Sequence, residues 1–359
     1  MLKDTALILT NGRLATADAK TAHGLIRGTE RFTIVGVIDP LSCGKDAGDI
    51  VDGRFRNIPV FDSIRTCLDH SRQKPDYGII GVALSGGRLP EDWNDILLNV
   101  LENQISIIST MHQLLSEKPV LRAAARKNGV EIIDLRKPKP IDRLHFWTGE
   151  IYKVRAPKIA ILGMDCAIGK RTTARFIVES CQQEGIRTEM IYTGQTGWLQ
   201  GYRHGFIFDA TLNDFVSGEL EHAVLECNRQ SAPDLILIEG QSGLRNPSGP
   251  CGSEIIVSAD AKGVILQHAP FRKYYEDLEH LYCLLPDVKD EIELIGMYGA
   301  QTLAVTLNGE GGTREELSDY RQDLAQQLQL PVVCPLYEGT TDLLPVIRQF
   351  ISQQHQQHN

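Results

Sequence analysis

The chain has 359 residues, 42% of them hydrophobic and 23% charged, which suggests about two globular domains with ample core. A formal net charge of −9 argues against a nucleic-acid polyanion as main partner, and no apolar run is long enough to span a bilayer. The eight cysteines, Cys43, Cys67, Cys166, Cys181, Cys227, Cys251, Cys283 and Cys334, are scattered without a C-x-x-C pair, so the spacing of structural zinc is missing and reduced thiols in a cytoplasmic setting are expected.

The amino terminus, MLKDTALILTNGRLATADAK, has one short apolar run and reads as a first buried strand rather than a signal peptide. A small helix follows around Ala17–Arg27. Then come the strand RFTIVGVIDP, the strand IPVF, the helical DSIRTCLDHSRQ and the strand DYGIIGVA. Glu91–Asn103 reads as a helix, SIISTM as a strand, Val120–Lys127 as a helix and VEIIDLR as a strand. Strands alternating with helices of this length predict a parallel sheet covered on both faces, a Rossmann-like domain. The proline-rich, basic RKPKPIDRLHF breaks the pattern and places the boundary between residues 1–145 and 146–359.

A second alternation follows. Strands are expected at Lys158–Leu162, Thr188–Tyr192, Asp234–Ile238, Gly263–Leu266, Gln301–Leu307 and Pro331–Val333, with helices at Lys170–Glu184, Asp214–Asn228 and Thr313–Leu328. The polar tail QQHQQHN is expected to fray. The whole is an α/β chain of two parallel-sheet domains, Rossmann-like and then P-loop NTPase-like.

The amino-terminal domain lacks G-x-G-x-x-G, so a dinucleotide fingerprint is absent. Asp39, at the end of the second strand, stands where an acid would meet a ribose, yet an Asp-Pro there is more often a plain turn. Lys20, Ser85 and Arg88 collect at the carboxyl edge of the expected sheet. They read as a small anion site or, equally, as a glycine turn with a surface arginine. His112 in STMHQLL reads as a satisfied, partly buried histidine rather than a catalytic one.

The stretch KIAILGMDCAIGKRTTARFIVES begins at Lys158. Gly163, Asp165, Ile168, Gly169, Lys170, Arg171, Thr172 and Thr173 form a phosphate-binding loop at the start of a helix. Glycine lets the backbone approach phosphate oxygens, the helix start is positive, and Lys170 adds a full charge. Five residues, MDCAI, separate the glycines where the common form has four. That spacing also occurs in dethiobiotin-synthetase-like enzymes, with an acid inside the loop where Asp165 stands. Asp165 is expected to oppose a phosphate, to orient Lys170 or to meet a substrate amine. Cys166 reads as a small packing residue rather than a nucleophile.

Two further stretches carry polar groups. In DLILIEGQSGLRNPSG an apolar strand ends at Glu239, with Gln241 and Arg245 just beyond. Glu239 fits the strand-end acid that reaches a metal or its water beside a phosphate loop. In YTGQTGWLQGYRHGFIFDATLNDFVSGELEHAV, four glycines predict a flexible loop close to a ligand, with Gln195, Thr196, Arg203 and His204 as donors. Asp209, Asp214, Glu219, Glu221 and His222 follow. Their carboxylates read as general bases or amine recognition, and Asp214 also as a plain helix start.

The ordered set GMDCAIGKRTTA, TGQTGW, DFVSGELE and IEGQSGL, behind AKTAHGLIR, VGVIDP and GGRLP, resembles the D-glutamate N-acetyltransferase family over almost the whole chain. The resemblance implies transfer of acetyl from acetyl-CoA to the amino group of a D-amino acid, D-glutamate being the family substrate. The loop would hold a phosphate of coenzyme A. Asp209, Asp214 or Glu239 would accept the amine proton, Gln195, Thr196 and Gln241 would contact substrate, and Arg203 or Arg245 would bind its carboxylates. No resident metal is implied. Met164 stands where the family more often has threonine, and Asn246-Pro247 where it has a histidine before the proline. Two other readings remain open: a Mg-ATP ligase or kinase of dethiobiotin-synthetase type, and a non-catalytic nucleotide or metabolite sensor. Partners are expected to be a small amino-acid substrate and further copies of the chain in a homo-oligomer, without nucleic acid or membrane.

Overall fold

The structure, a computed structural model, describes residues 3–71 and 73–357. It divides into two compact units, Met1–Lys139 with Gln195–Tyr202, and Pro140–Gly194 with Arg203–Asn359.

In the first unit, β1 (Asp4–Leu9), β2 (Phe32–Ile38), β3 (Val60–Phe61), β4 (Tyr77–Ile80), β5 (Ser106–Ser109) and β6 (Ile132–Asp134) alternate with α1 (Lys20–Arg27), α2 (Ala47–Asp52), α3 (Ile64–His70), α4 (Trp93–Glu102) and α5 (Pro119–Asn128). All strand pairs are parallel, in the order β3-β2-β1-β4-β5-β6, the doubly wound order of a Rossmann-like sheet. Local chemistry sets the helix ends. The Asp46 carboxylate accepts the N–H groups of Gly48 and Asp49 at the start of α2, Ser63 caps α3, and Gly53 and Gly129 take left-handed conformations at helix ends. The helix expected over DSIRTCLDHSRQ stops at His70, and Arg72 lies outside the described residues.

The second unit holds β7 (Lys158–Gly163), α6 (Lys170–Gln183), β8 (Thr188–Tyr192), β9 (His204–Gly205), α8 (Asn213–Ser231), β10 (Leu235–Glu239), α9 (Ser253–Ser258), β11 (Gly263–His268), α10 (Val288–Met297), β12 (Gln301–Leu307), α11 (Arg314–Leu328), β13 (Val332–Val333), α12 (Pro335–Glu338) and α13 (Leu344–Gln357). Its sheet is also parallel throughout, in the order β13-β12-β11-β7-β10-β8-β9. Strands β7, β10 and β11 are buried along their length, which explains their unbroken apolar runs. Among the described residues no helix is long and apolar enough to cross a membrane.

The loop expected over TGQTGW is instead a helix, α7 (Gln195–Gln200), and it belongs to the first unit. Leu199 is fully buried in that unit's core. The Gln200 amide donates to the carbonyl of Gly24 at 2.9 Å, Thr29 Oγ1 to the carbonyl of Leu199 at 2.7 Å, and Arg31 Nε to that of Trp198 at 2.7 Å. The Arg31 guanidinium also lies 4.0 Å above the Trp198 ring. Gly201 then turns the chain at φ +101°, and a Cβ there would lie 3.0 Å from the Arg31 nitrogen. Glycine in this stretch serves close packing rather than mobility.

The polar tail also differs from expectation, being helical to Gln357; His358 and Asn359 lie outside the described residues. Leu344, Ile347 and Phe350 bury one face of α13, and once nucleated the helix propagates through the glutamines.

At the end of β11, burial pushes the His268 imidazole down to about 4, and its Nε2 lies 3.0 Å from the Tyr320 hydroxyl. Unfolded histidine titrates near 6.5. The folded state therefore binds fewer protons between these values, and stability is lost as pH falls from about 6.5 toward about 4. Thermal unfolding midpoints measured across this range should fall less steeply in His268→Gln than in the wild type. Equal slopes would contradict the assignment.

Candidate phosphate-binding site

β7 runs between β10 and β11 and ends at Gly163. A Cβ at Gly163 would lie 2.8 Å from Lys170 Cδ and 3.0 Å from Ile168 Cδ1, so only glycine lets the loop fold back over the strand end. The chain passes Ala167 at φ +54° and Gly169 at φ +101° before α6 begins at Lys170. Helix geometry leaves the N–H groups of this first turn without intrahelical partners, at the positive end of the helix dipole. That is the arrangement an anion needs.

Asp165 has no exposed surface. Its Oδ1 accepts the Cys166 N–H at 2.7 Å and the Asn246 amide at 2.9 Å; its Oδ2 accepts Arg272 Nη1 at 3.0 Å and the Glu276 N–H at 2.8 Å. The carboxylate is thus spent on loop shape. Arg272 also donates to the Cys166 carbonyl at 2.9 Å and pairs with Glu276 at 2.8 Å. The Lys170 ammonium is buried and donates to two backbone carbonyls, those of Asp165 and, at 2.7 Å, Ser242. Burial lowers its pKa. Ile168 is buried and its carbonyl accepts the Asn308 amide at 3.1 Å. Thr172 is half-buried in the first turn. The Thr173 hydroxyl turns to the core, donating to Gln267 Oε1 at 2.6 Å, as Thr306 also does.

Glu239 ends β10, in register with Ile161 of β7. Its Oε2 accepts the Thr193 N–H at 3.0 Å, and the Thr193 hydroxyl donates to its carbonyl at 2.8 Å. Gln241 donates to that same hydroxyl at 2.9 Å. Arg171 Nη1 stands 4.0 Å from Glu239 Oε1. Burial raises the Glu239 pKa, against the opposing pull of Arg171 and the N–H donors. Lys170, Arg171, Glu239, Gln241 and the Ser242 carbonyl therefore form one constellation.

Other sequence candidates have different surroundings. Gln195 and Thr196 are buried in α7, where Thr196 Oγ1 lies 3.5 Å from Thr21 Oγ1. Arg203 is exposed before β9. Asp209 is exposed in a short 3-10 turn, and Asp214 is exposed in the first turn of α8, where it complements the helix dipole. Arg245 is tied to the buried Glu291 at 2.7 Å. Glu219 accepts the His145 N–H at 2.9 Å, and Glu221 accepts those of Thr148 and Ile151 at 2.6 and 3.1 Å, so both fasten the segment preceding β7 to α8. His222 stacks on His145 at 3.5 Å.

In the first unit, Asp39 is consumed by its own turn, accepting Thr10 Oγ1 and the N–H groups of Leu14 and Ser42. Lys20 and Arg88 are exposed, and the Ser85 side chain lies outside the described residues. His112 is exposed, not partly buried, and meets Arg136. Sequence reasoning missed Arg272 and Gln267, and marked Asn246 only as a departure from the family pattern, not as a partner of Asp165. Gln267 left a trace, a polar residue closing the apolar strand GVILQ; Arg272 left none.

Comparison with known proteins gives a consistent family assignment. The domain of unknown function described as the DUF1611_C P-loop domain matches residues 145–344, and the DUF1611_N Rossmann-like domain matches residues 41–138. A D-glutamate N-acetyltransferase of Pseudoalteromonas sp is 25% identical over 273 residues, covering 74% of this chain and 79% of that protein. One of Tritonibacter scottomollicae is 27% identical over 274 residues, covering 75% and 80%. The crystal structure of a DUF1611 family protein from Anabaena variabilis superposes with a TM-score of 0.86 at 24% identity, over 98% of this chain and 100% of that one, which shows the shared fold.

Asp165→Ala would remove the buried carboxylate partner of Arg272, leaving that guanidinium to Glu276 and the Cys166 carbonyl, and would leave the N–H donors of Cys166, Asn246 and Glu276 without this acceptor. Denaturant unfolding should register a loss of about 3–5 kcal/mol, the usual cost of breaking a buried ion pair on one side. A change below about 1 kcal/mol would show that the carboxylate does not organise the loop.

Proposed function

We propose that this chain, which belongs to the DUF1611 family, is an N-acetyltransferase that moves acetyl from acetyl-CoA to the amino group of an acidic D-amino acid. One observation carries the reading: a two-cation phosphate loop lies beside a buried carboxylate whose pKa is raised. The names of the two D-glutamate N-acetyltransferases, similar over about three quarters of the chain, support it.

Acyl transfer needs an anchored donor, a deprotonated amine and a place for its proton. The first-turn N–H groups of α6, with Lys170 and Arg171, suit a diphosphate or 3′-phosphate of coenzyme A. Lys170 would exchange its carbonyl partners for phosphate oxygen. Glu239 would take the proton from the substrate ammonium. Burial raises the proton affinity of the Glu239 carboxylate, so it accepts a proton more readily than an ordinary solvent-exposed glutamate. The free amine then attacks the thioester carbonyl and the C–S bond breaks; the thiolate takes the proton that the attacking nitrogen gives up and leaves as the coenzyme A thiol. Glu239 is favoured over Asp209 and Asp214, which are solvent-exposed carboxylates. For the substrate's carboxylates, exposed Arg203 is favoured over Arg245, which Glu291 already neutralises.

Free-thiol release from acetyl-CoA, run against a panel of D- and L-amino acids, tests this reading. Release should rise above background with an acidic D-amino acid. Glu239→Gln should lower turnover by about 10²–10⁴-fold, the range for loss of a general base, while calorimetry still detects coenzyme A binding. If no amine stimulates release, the reading fails.

A further inference from the structure

In the common phosphate loop, a hydroxyl directly after the lysine and an acid at the neighbouring strand end hold a divalent metal between them, and the metal bridges the phosphates. Here an arginine stands at the sequence position of that hydroxyl. Arg171 directly follows Lys170, and its Nη1 faces Glu239 Oε1 at 4.0 Å. The other carboxylate oxygen is engaged by the Thr193 N–H at 3.0 Å. The Thr173 hydroxyl is turned to Gln267 in the core. The Arg171 guanidinium thus faces Glu239 from the residue after the Lys170 ammonium. A divalent ion inserted beside Glu239 would meet the like charge of Arg171 and a carboxylate with one oxygen already in use. A diphosphate, by contrast, would meet cations and N–H donors.

We propose that Arg171 is a specificity-determining residue: a resident cation in the place of the divalent metal, making this loop a metal-independent binder of diphosphate ligands rather than of magnesium triphosphates. The inference rests on the reading of the loop as a phosphate cradle, but not on acetyl transfer. A guanidinium is always charged and matches phosphate oxygens with a planar fork, so it supplies without metal the charge that magnesium supplies elsewhere.

Titration calorimetry on the full chain with coenzyme A and with ADP, each in EDTA and in excess magnesium, tests it. Wild type and Arg171→Lys should bind both ligands in EDTA, with affinity changing less than about twofold on adding magnesium. Arg171→Thr, which restores the hydroxyl after Lys170, should bind ADP weakly in EDTA and about tenfold or more tightly with magnesium. Should Arg171→Thr fail to fold, the wild-type and Arg171→Lys series still decides. A wild-type requirement for magnesium would overturn the proposal, as would no binding of either ligand. Metal-independent binding of coenzyme A without any amine-stimulated thiol release would leave this inference standing and remove the acetyltransferase reading.

Discussion

The Asp165 carboxylate lies beyond the reach of water, and the loop around it exists in its present shape because that charge must be satisfied. Moving a carboxylate out of water costs several kcal/mol unless it is paired and hydrogen-bonded. Arg272, the Asn246 amide and the N–H groups of Cys166 and Glu276 supply that pairing. The four donors come from three parts of the chain, so the phosphate loop, the segment after β10 and the segment after β11 are fixed together. With the loop so held, the Lys170 ammonium meets the carbonyls of Asp165 and Ser242. A charged group on backbone carbonyls beside a helix start has the chemistry that the proposed phosphate ligand requires.

The sheet order adds the second half. β10 neighbours β7, so the acid ending β10 stands beside the loop ending β7. Glu239 is tied to Thr193, the last residue but one before α7 begins. The helix then packs within the first unit through Leu199, Gln200 and Trp198. The residue that donates to the acid lies two positions before that helix in the chain.

The alternation of apolar runs and amphipathic segments was enough to read two parallel sheets, because doubly covered parallel strands must be apolar on both faces. The strand ends at Gly163 and Glu239 were legible for the same reason. Helix α7 was not: glycines at 194, 197 and 201 mimic a mobile loop, while the structure uses Gly201 for a positive φ and close approach to Arg31. Lys170 and Arg171 were visible as a local motif. Arg272 was not, since Asp165 lies over a hundred residues away in sequence and the local pairing with Glu276 reads as an ordinary ion pair four residues apart. Asp165 was visible as an acid in the loop, but its direction, toward Arg272 rather than toward a ligand, depended on residues that only the fold brings near.

The central claim is that the first turn of α6 and Lys170 receive a phosphate of coenzyme A. A crystal structure of the protein grown with coenzyme A tests it most directly. Phosphate density is expected against the backbone of residues 166–172, with the Lys170 ammonium moved off the Ser242 carbonyl onto a phosphate oxygen. Coenzyme A bound elsewhere, with Lys170 still on the carbonyls of Asp165 and Ser242, would contradict it.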